Sequence, residues 1–127
     1  MDRKERKAFS LIARVGSFKH AFRGIGIFVS RTHNAWIEIV YSTIVIGLGC
    51  YFKIGEGEWL ALIISLGVLL AAEAFNTAME VHMDLTSPEF HPYARDTKDI
   101  AAGAVLITVF ATVAVSVIIF LPKLIAL

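Results

Sequence analysis

Residues 68–84, VLLAAEAFNTAMEVHMD, begin as an apolar stretch and then carry Glu73, Asn76, Glu80 and Asp84. Three carboxylates and an amide are groups that bind cations, accept protons or orient a polar substrate. Their spacing fits one helix face. At about 100° per residue from Glu73, Asn76 falls at about 300°, Glu80 at about 340° and Asp84 at about 20°. All four therefore project within roughly 80° of arc, with Thr77 bordering them at about 40°. A polar stripe on an otherwise apolar helix faces protein rather than lipid. A charge at the centre of a membrane helix costs on the order of 2.5–3.5 kcal/mol on insertion scales, so Glu73 is not a neutral choice. The residues alone leave three readings: an inter-helix hydrogen-bond clamp, a proton or ion pathway, or an active site handling something amphiphilic.

The elements that must position this stripe are membrane spans. With 127 residues, 57% of them hydrophobic, the chain is long enough for one domain and too apolar for an ordinary soluble one. The whole of 1–127 reads as a single all-α, integral-membrane domain. Three apolar runs, 35–52, 59–78 and 100–121, approach the roughly 20 residues that a spanning helix needs. The stretch ahead of the first run scatters Lys and Arg with no uninterrupted apolar core, which argues against a cleavable signal peptide. Within 1–34, Phe9, Ile12, Val15, Phe18, Phe22, Ile25 and Val29 recur at helical spacing, so this region is expected to be an amphipathic helix lying in the headgroup layer. Gly24 and Gly26 weaken the signal for an unbroken helix there. SRTHN at 30–34 reads as a polar break before the first span, and KIGEGEW at 53–59 as a tight outer turn with Trp59 at the interface.

Charge sets the orientation. Arg3, Lys4, Arg6, Lys7, Arg14, Lys19, Arg23 and Arg31 precede the first span, and Arg95 and Lys98 lie between the second and third, while Lys53 and Lys123 fall on the other side. The positive-inside rule makes the N-terminus and the second loop cytoplasmic. The net charge of +1 and the spread of the cations along a membrane-bordering segment give no reason to expect nucleic-acid binding. Cys50, the only cysteine, permits no intrachain disulfide and reads as an apolar packing residue. Counting from Trp59 at about 1.5 Å per residue, Glu73 lies roughly 21 Å along the second helix, Glu80 about 31 Å and Asp84 about 37 Å. Against a hydrocarbon core about 30 Å thick, the stripe runs from inside the membrane to the cytoplasm. Beyond it, turns are expected at Ser87-Pro88 and His91-Pro92, with Ser87 as a cap and Pro92 opening the next helix. Arg95, Asp96, Lys98 and Asp99 crowd the turn and a half before the third apolar run, where Arg95 and Asp96 read as a solvated helix end. Ala101, Ala102, Gly103 and Ala104 follow and allow close helix approach.

EAFNTAMEVHMDLTSPEFHPYARDTKDIAAGAVL, from Glu73 to Leu106, closely resembles the bacterial diacylglycerol kinase and undecaprenol kinase family. The pattern E-x-x-N-x-x-x-E-x-x-x-D, then E-x-H, then K-D-x-x-x-G-A-V, agrees in residue and spacing, and the architecture extends the resemblance over essentially the whole chain. The resemblance implies a multi-pass protein of the bacterial cytoplasmic (inner) membrane with a cytoplasmic N-terminus. It implies a homotrimer with active sites shared between neighbouring subunits, using Mg2+ and ATP to phosphorylate a membrane-lipid hydroxyl. The family uses neither a P-loop nor protein-kinase motifs, and no G-x-x-x-x-G-K occurs here. Carried over, Glu73 is the general base, Glu80 a ligand of the catalytic Mg2+, and Asn76 orders the site between them. Glu80, Glu89, His91, Lys98 and Asp99 match nucleotide-contacting positions. Residue chemistry agrees: phosphoryl transfer needs positioning and charge neutralisation, carboxylates hold Mg2+ through oxygen, and Lys98 offsets phosphate charge.

The sequence departs from the family pattern at Thr32, where an alignment anchored on Asn34 meets a second metal-binding Glu in many members. Either Mg2+ takes more water and phosphate ligands, or the first-span alignment slips, or activity is weak; Glu38, further along, could assist. His82, about 180° from Glu73, reads as a packing residue, and His20 and His33 as headgroup-facing. The wording of DLTSPEFHP and KDIAAGAVL leans towards the undecaprenol-kinase branch, although a family does not fix a substrate. The rival expectation is a non-catalytic membrane trimer, either a degenerate kinase or a proton-handling bundle.

Overall fold

The computed structural model describes residues 10–127, which form four helices and no strand among the described residues: α1 (Leu11–Arg31), α2 (His33–Phe52), α3 (Glu56–Thr86) and α4 (Pro92–Ile125). Arg3, Lys4, Arg6, Lys7 and Phe9, part of the basic and amphipathic reading of the N-terminal region, lie outside the described residues. The last three helices are each long and apolar enough to cross a membrane. This is the all-α membrane architecture expected from the apolar runs.

Helix α1 starts at Ser10, whose Oγ accepts from the Ala13 amide at 3.3 Å. It runs unbroken through Gly24 and Gly26, as the helical spacing of the apolar residues predicts despite the two glycines. Neither glycine adopts a positive φ, so each lowers helix propensity without forcing a turn. Most of the apolar stripe of α1 has no protein cover: Ile12, Val15, Phe18, Phe22 and Ile25 are exposed, and Val29 is half-buried. The break before the first span is narrower than the sequence suggests. Thr32 alone leaves helical geometry, with φ −117° and ψ 119°, and His33 and Asn34 already belong to α2.

The outer turn is also shorter than expected. Only 53–55 separate α2 from α3, and Glu56 and Glu58 form the first turn of α3 rather than part of a loop. Lys53 takes the left-handed conformation (φ 51°) and closes α2, with its amide on Cys50 O and the Ile54 amide on Gly49 O at 3.1 Å. This is a Schellman closure, with Ile54 tucked inward as its apolar contact. Gly49 is needed at that point. A Cβ there would sit 2.8 Å from the Trp59 ring and 3.1 Å from Ile54 Cδ1. Glu58 then caps α3 by accepting the Gly55 amide at 3.0 Å and pairs with Lys123 Nζ at 2.6 Å, which joins the end of α4 to the start of α3.

At the other end α3 continues well past the expected 78, so the stripe stays on one unbroken helix to Thr86. Ser87 is not an N-cap: its amide donates to Met83 O at 2.8 Å and closes α3. The side chain that caps α4 is His91, whose Nδ1 accepts from the Tyr93 amide at 3.2 Å, with Pro92 at the first helical position as expected. Ser87 is too far from the start of α4 at Pro92 to cap it. Packing centres on the α3–α4 pair. Thr112 is fully buried and its hydroxyl reaches Thr108 O at 2.7 Å and Ser65 O, across on α3, at 3.2 Å. Val45, Ile54, Leu62, Leu66, Ile119 and Phe120 form the core near the outer turn. Tyr41 and Ser116 hydroxyls, 2.5 Å apart, tie α2 to α4.

The outer corner predicts a contrast between two glycines. Gly49→Ala drives a Cβ into the Trp59 indole and against Ile54, and should lower resistance to unfolding in detergent by about 1–3 kcal/mol, the usual cost of overpacking. Gly47→Ala, with nothing within 4 Å of its Cβ, should be neutral or slightly stabilising. Equal effects on the denaturation midpoint would contradict this packing.

Candidate active site

Helix α3 carries the stripe along a burial gradient. Glu73 is 1% exposed and Asn76 7%, whereas Glu80 and Asp84 are exposed. The gradient follows from one straight helix leaving the cover of its neighbours. Asn76 Nδ2 donates to Glu80 Oε1 at 3.3 Å, one turn on, so the amide links the buried and the more open carboxylate. Its own Oδ1 has no hydrogen-bond partner, and neither has Glu73 Oε1. Both oxygens are buried acceptors left open, a costly arrangement that a packing clamp would be expected to satisfy.

Glu73 is surrounded by more than its own helix. The amides of Asn34, from the start of α2, and of Asn76 approach its carboxylate. Glu38 of α2 is 8% exposed, lies within electrostatic range of Glu73, and leaves Oε2 unpartnered. The sequence signal for Glu38 was its place on the inward face of α2, in register with Ala35, Ser42, Val45 and Gly49. Beneath the stripe, Thr77 Oγ1 donates to Glu73 O at 3.0 Å and meets Thr32 Oγ1 at 3.2 Å. Thr32 therefore lies against the stripe even though it is not a carboxylate.

The second half of the site is an open cavity of about 270 Å³ where α3 ends and α4 begins. Glu89, His91, Lys98 and Asp99, the residues expected to contact nucleotide, all line it, and so do Asp84 and Arg95. Glu73, Asn76 and Glu80 do not line it; Glu80 lies between the two zones, within electrostatic range of Lys98. Lys98 Nζ meets Asp84 Oδ1 at 2.5 Å, and Arg95 Nε lies 3.8 Å from Asp99 Oδ2. The expectation that Arg95 merely solvates a helix end missed its place on the cavity wall. Its i,i+4 relation to Asp99 was the available signal.

A family model for prokaryotic diacylglycerol kinase matches residues 19–120, a segment that holds every candidate residue from Thr32 to Asp99. The chain belongs to the prokaryotic diacylglycerol kinase family. Its members are lipid kinases. The chain is 33% identical over 108 residues to an undecaprenol kinase of Bacillus subtilis, covering 85% of this chain and 88% of that one. It is 29% identical over 106 residues to a diacylglycerol kinase of Helicobacter pylori, covering 78% and 83%. With a diacylglycerol kinase of Synechocystis it shares 30% over 112 residues, covering 87% of this chain and 64% of the relative.

The open acceptors make stability a probe of function. Replacing Glu73 by Met, similar in size and without polar oxygens, should raise resistance to denaturation by on the order of 1–3 kcal/mol, since a buried acceptor without a full set of partners is removed. A marked fall in the midpoint would instead identify Glu73 as a clamp between helices.

Proposed function

We propose that the chain is an ATP- and Mg2+-dependent kinase that phosphorylates the hydroxyl of a membrane lipid at the cytoplasmic membrane face. The observation that carries this reading is the continuity of α3. One helix joins a buried, open carboxylate in an apolar span to a charged, solvent-open cavity at its end. A lipid hydroxyl reaches the first from the bilayer, and a nucleotide reaches the second from water.

In this mechanism Glu73 accepts the proton of the lipid hydroxyl, whose oxygen attacks the γ-phosphorus. The bond from that phosphorus to the β–γ bridging oxygen breaks, and ADP leaves with the electron pair. Glu89, His91, Lys98 and Asp99 bind the nucleotide, with Lys98 leaving Asp84 for phosphate oxygens. Arg95 is on the same wall and can assist as a planar donor. The cavity, at about 270 Å³, is slightly smaller than the roughly 300–1,000 Å³ of closed small-molecule sites, in keeping with a nucleotide whose phosphates extend out along the stripe. That extension also spans the rise of about 10 Å from Glu73 to Glu80.

The fit to Mg2+ rests on the donor set. Among the described residues, no three of His, Cys, Asp and Glu gather closely enough to hold a metal. Mg2+ commonly takes only one or two carboxylates and completes its shell with water and phosphate. Glu80, open to water and with the unpartnered Asn76 Oδ1 close by, is suited to that role. The ion would neutralise charge developing on the transferred phosphoryl group. Asn76 keeps Glu80 oriented, and Thr32 leaves a second ligand position to water.

The basic N-terminal segment and the cations Arg95 and Lys98 at the start of α4 support a cytoplasmic N-terminus in the bacterial inner membrane. The single domain would span three times and assemble as a homotrimer, covering the apolar faces of α2 and α4 in part with neighbours. For the substrate, the relative named undecaprenol kinase shares slightly more of its sequence than those named diacylglycerol kinase, and undecaprenol is the first lipid to try.

The test supplies Mg-ATP and either undecaprenol or diacylglycerol in separate mixed micelles, with mass spectrometry for the lipid phosphate. One lipid should be converted, and Glu73→Ala should lower its turnover by about 10²-fold or more, the usual contribution of a general base. No lipid phosphate and no ATP hydrolysis from folded protein would favour a non-catalytic bundle.

A further inference from the structure

Thr32 is the only residue between α1 and α2, and it sits where a threonine ordinarily caps the helix that follows. It does not do so: no capping hydrogen bond is made by its side chain. The hydroxyl turns instead to Thr77 on α3, 3.2 Å away and 45 residues along the chain. The direction of that bond follows from proton counting. A threonine hydroxyl has one proton. Thr77 commits its proton to the Glu73 carbonyl at 3.0 Å, so between the two hydroxyls Thr32 is the donor and Thr77 the acceptor. The result is a relay from the α1–α2 junction through Thr77 to the backbone of Glu73. Two residues after Thr32, Asn34 brings its amide to the Glu73 carboxylate. The junction therefore reaches Glu73 twice, at its main chain through Thr32 and Thr77 and at its side chain through Asn34.

We infer that Thr32 is a positioning residue: its hydroxyl bond to Thr77 pins the α1–α2 junction onto α3 and so fixes Asn34 against the carboxylate of Glu73. The inference rests on the proposed role of Glu73 as base. Nothing in it requires a metal ion at Thr32. Loss of the tie lets the junction drift and leaves the Glu73 carboxylate free to rotate. The nucleotide cavity, lined from Asp84 to Asp99, lies further along α3 and on α4 and is not part of the relay. The effect should therefore fall on the chemical step and spare nucleotide binding.

The experiment compares Thr32→Val, Thr77→Val, their combination and Thr32→Ser with the wild type, measuring lipid phosphorylation and detergent unfolding for each. Thr32→Val should lower kcat roughly tenfold with KM for ATP within about twofold of the wild type, the loss expected for one hydrogen bond acting on geometry. Thr77→Val, which also removes the bond to the Glu73 carbonyl, should lower kcat at least as much. The combined variant should be no worse than Thr77→Val alone, because that substitution already removes the bond Thr32 makes. Thr32→Ser should stay within about twofold of the wild type. Unchanged kcat in Thr32→Val, multiplying losses in the combined variant, a rise in KM alone, or failure of serine to restore activity would each overturn the inference. Should the wild type phosphorylate no lipid, the kinase reading fails and the positioning role with it. The unfolding midpoints then judge the tie separately: non-additive changes retain it, and additive changes remove it.

Discussion

Glu73 must be carried into the apolar part of the chain without leaving its own helix short of hydrogen bonds, and much of the architecture follows from that requirement. In hydrocarbon every backbone amide and carbonyl has to be satisfied within the segment. A loop or kink at the carboxylate would leave such groups open. Helix α3 meets the requirement by running unbroken for 31 residues, from the outer turn to Thr86. The polar side chain then needs cover, and α2 supplies it with Asn34, Glu38 and the junction at Thr32.

The remaining helices divide the work by length. Helix α4 returns the chain across the membrane and packs closely on α3 through Thr112, a fully buried hydroxyl that takes both its own helix and α3 as partners. Because α4 begins at Pro92 rather than at the edge of its apolar run, its first two turns stand beside the last turns of α3. That offset creates the cavity and brings Lys98 to Asp84. The same helix end could not serve if it were apolar, and the charged residues of 95–99 are spaced to face both the cavity and each other. At the opposite end, Gly49, Ile54 and Trp59 lock α2 to α3 with close apolar contacts.

Much apolar surface remains uncovered in the single chain. Phe75, Ile107, Phe110 and Ile118 are all largely exposed, and only a small core of six residues is sealed near the outer turn. In water such a surface would drive aggregation; in a bilayer it needs no cover. The buried polar atoms follow a different rule. Glu38, Ser42, Glu73 and Asn76 each have an oxygen without a partner, and three of the four cluster about the stripe. Open acceptors grouped in one place are the pattern of a site that awaits a ligand, with stability given up for it.

The sequence by itself determined the helical class, the three spans and the shared face of Glu73, Asn76, Glu80 and Asp84, because apolar run length and a 3.6-residue period are local properties of the chain. The motif from Glu73 to Leu106 also carried the family. Only the tertiary structure decided what lies opposite those residues. It set Asn34 and Glu38 beside Glu73, tied Thr32 to Thr77, and put Arg95 and Asp84 on one cavity wall. It also corrected the helix ends at Thr32, Ser87 and Glu56, where Thr, Ser and Glu are each compatible with a cap or a turn. Periodicity gives the direction in which a side chain leaves its own helix. Which partner it meets depends on how two helices far apart in sequence pack, and no local pattern encodes that distance.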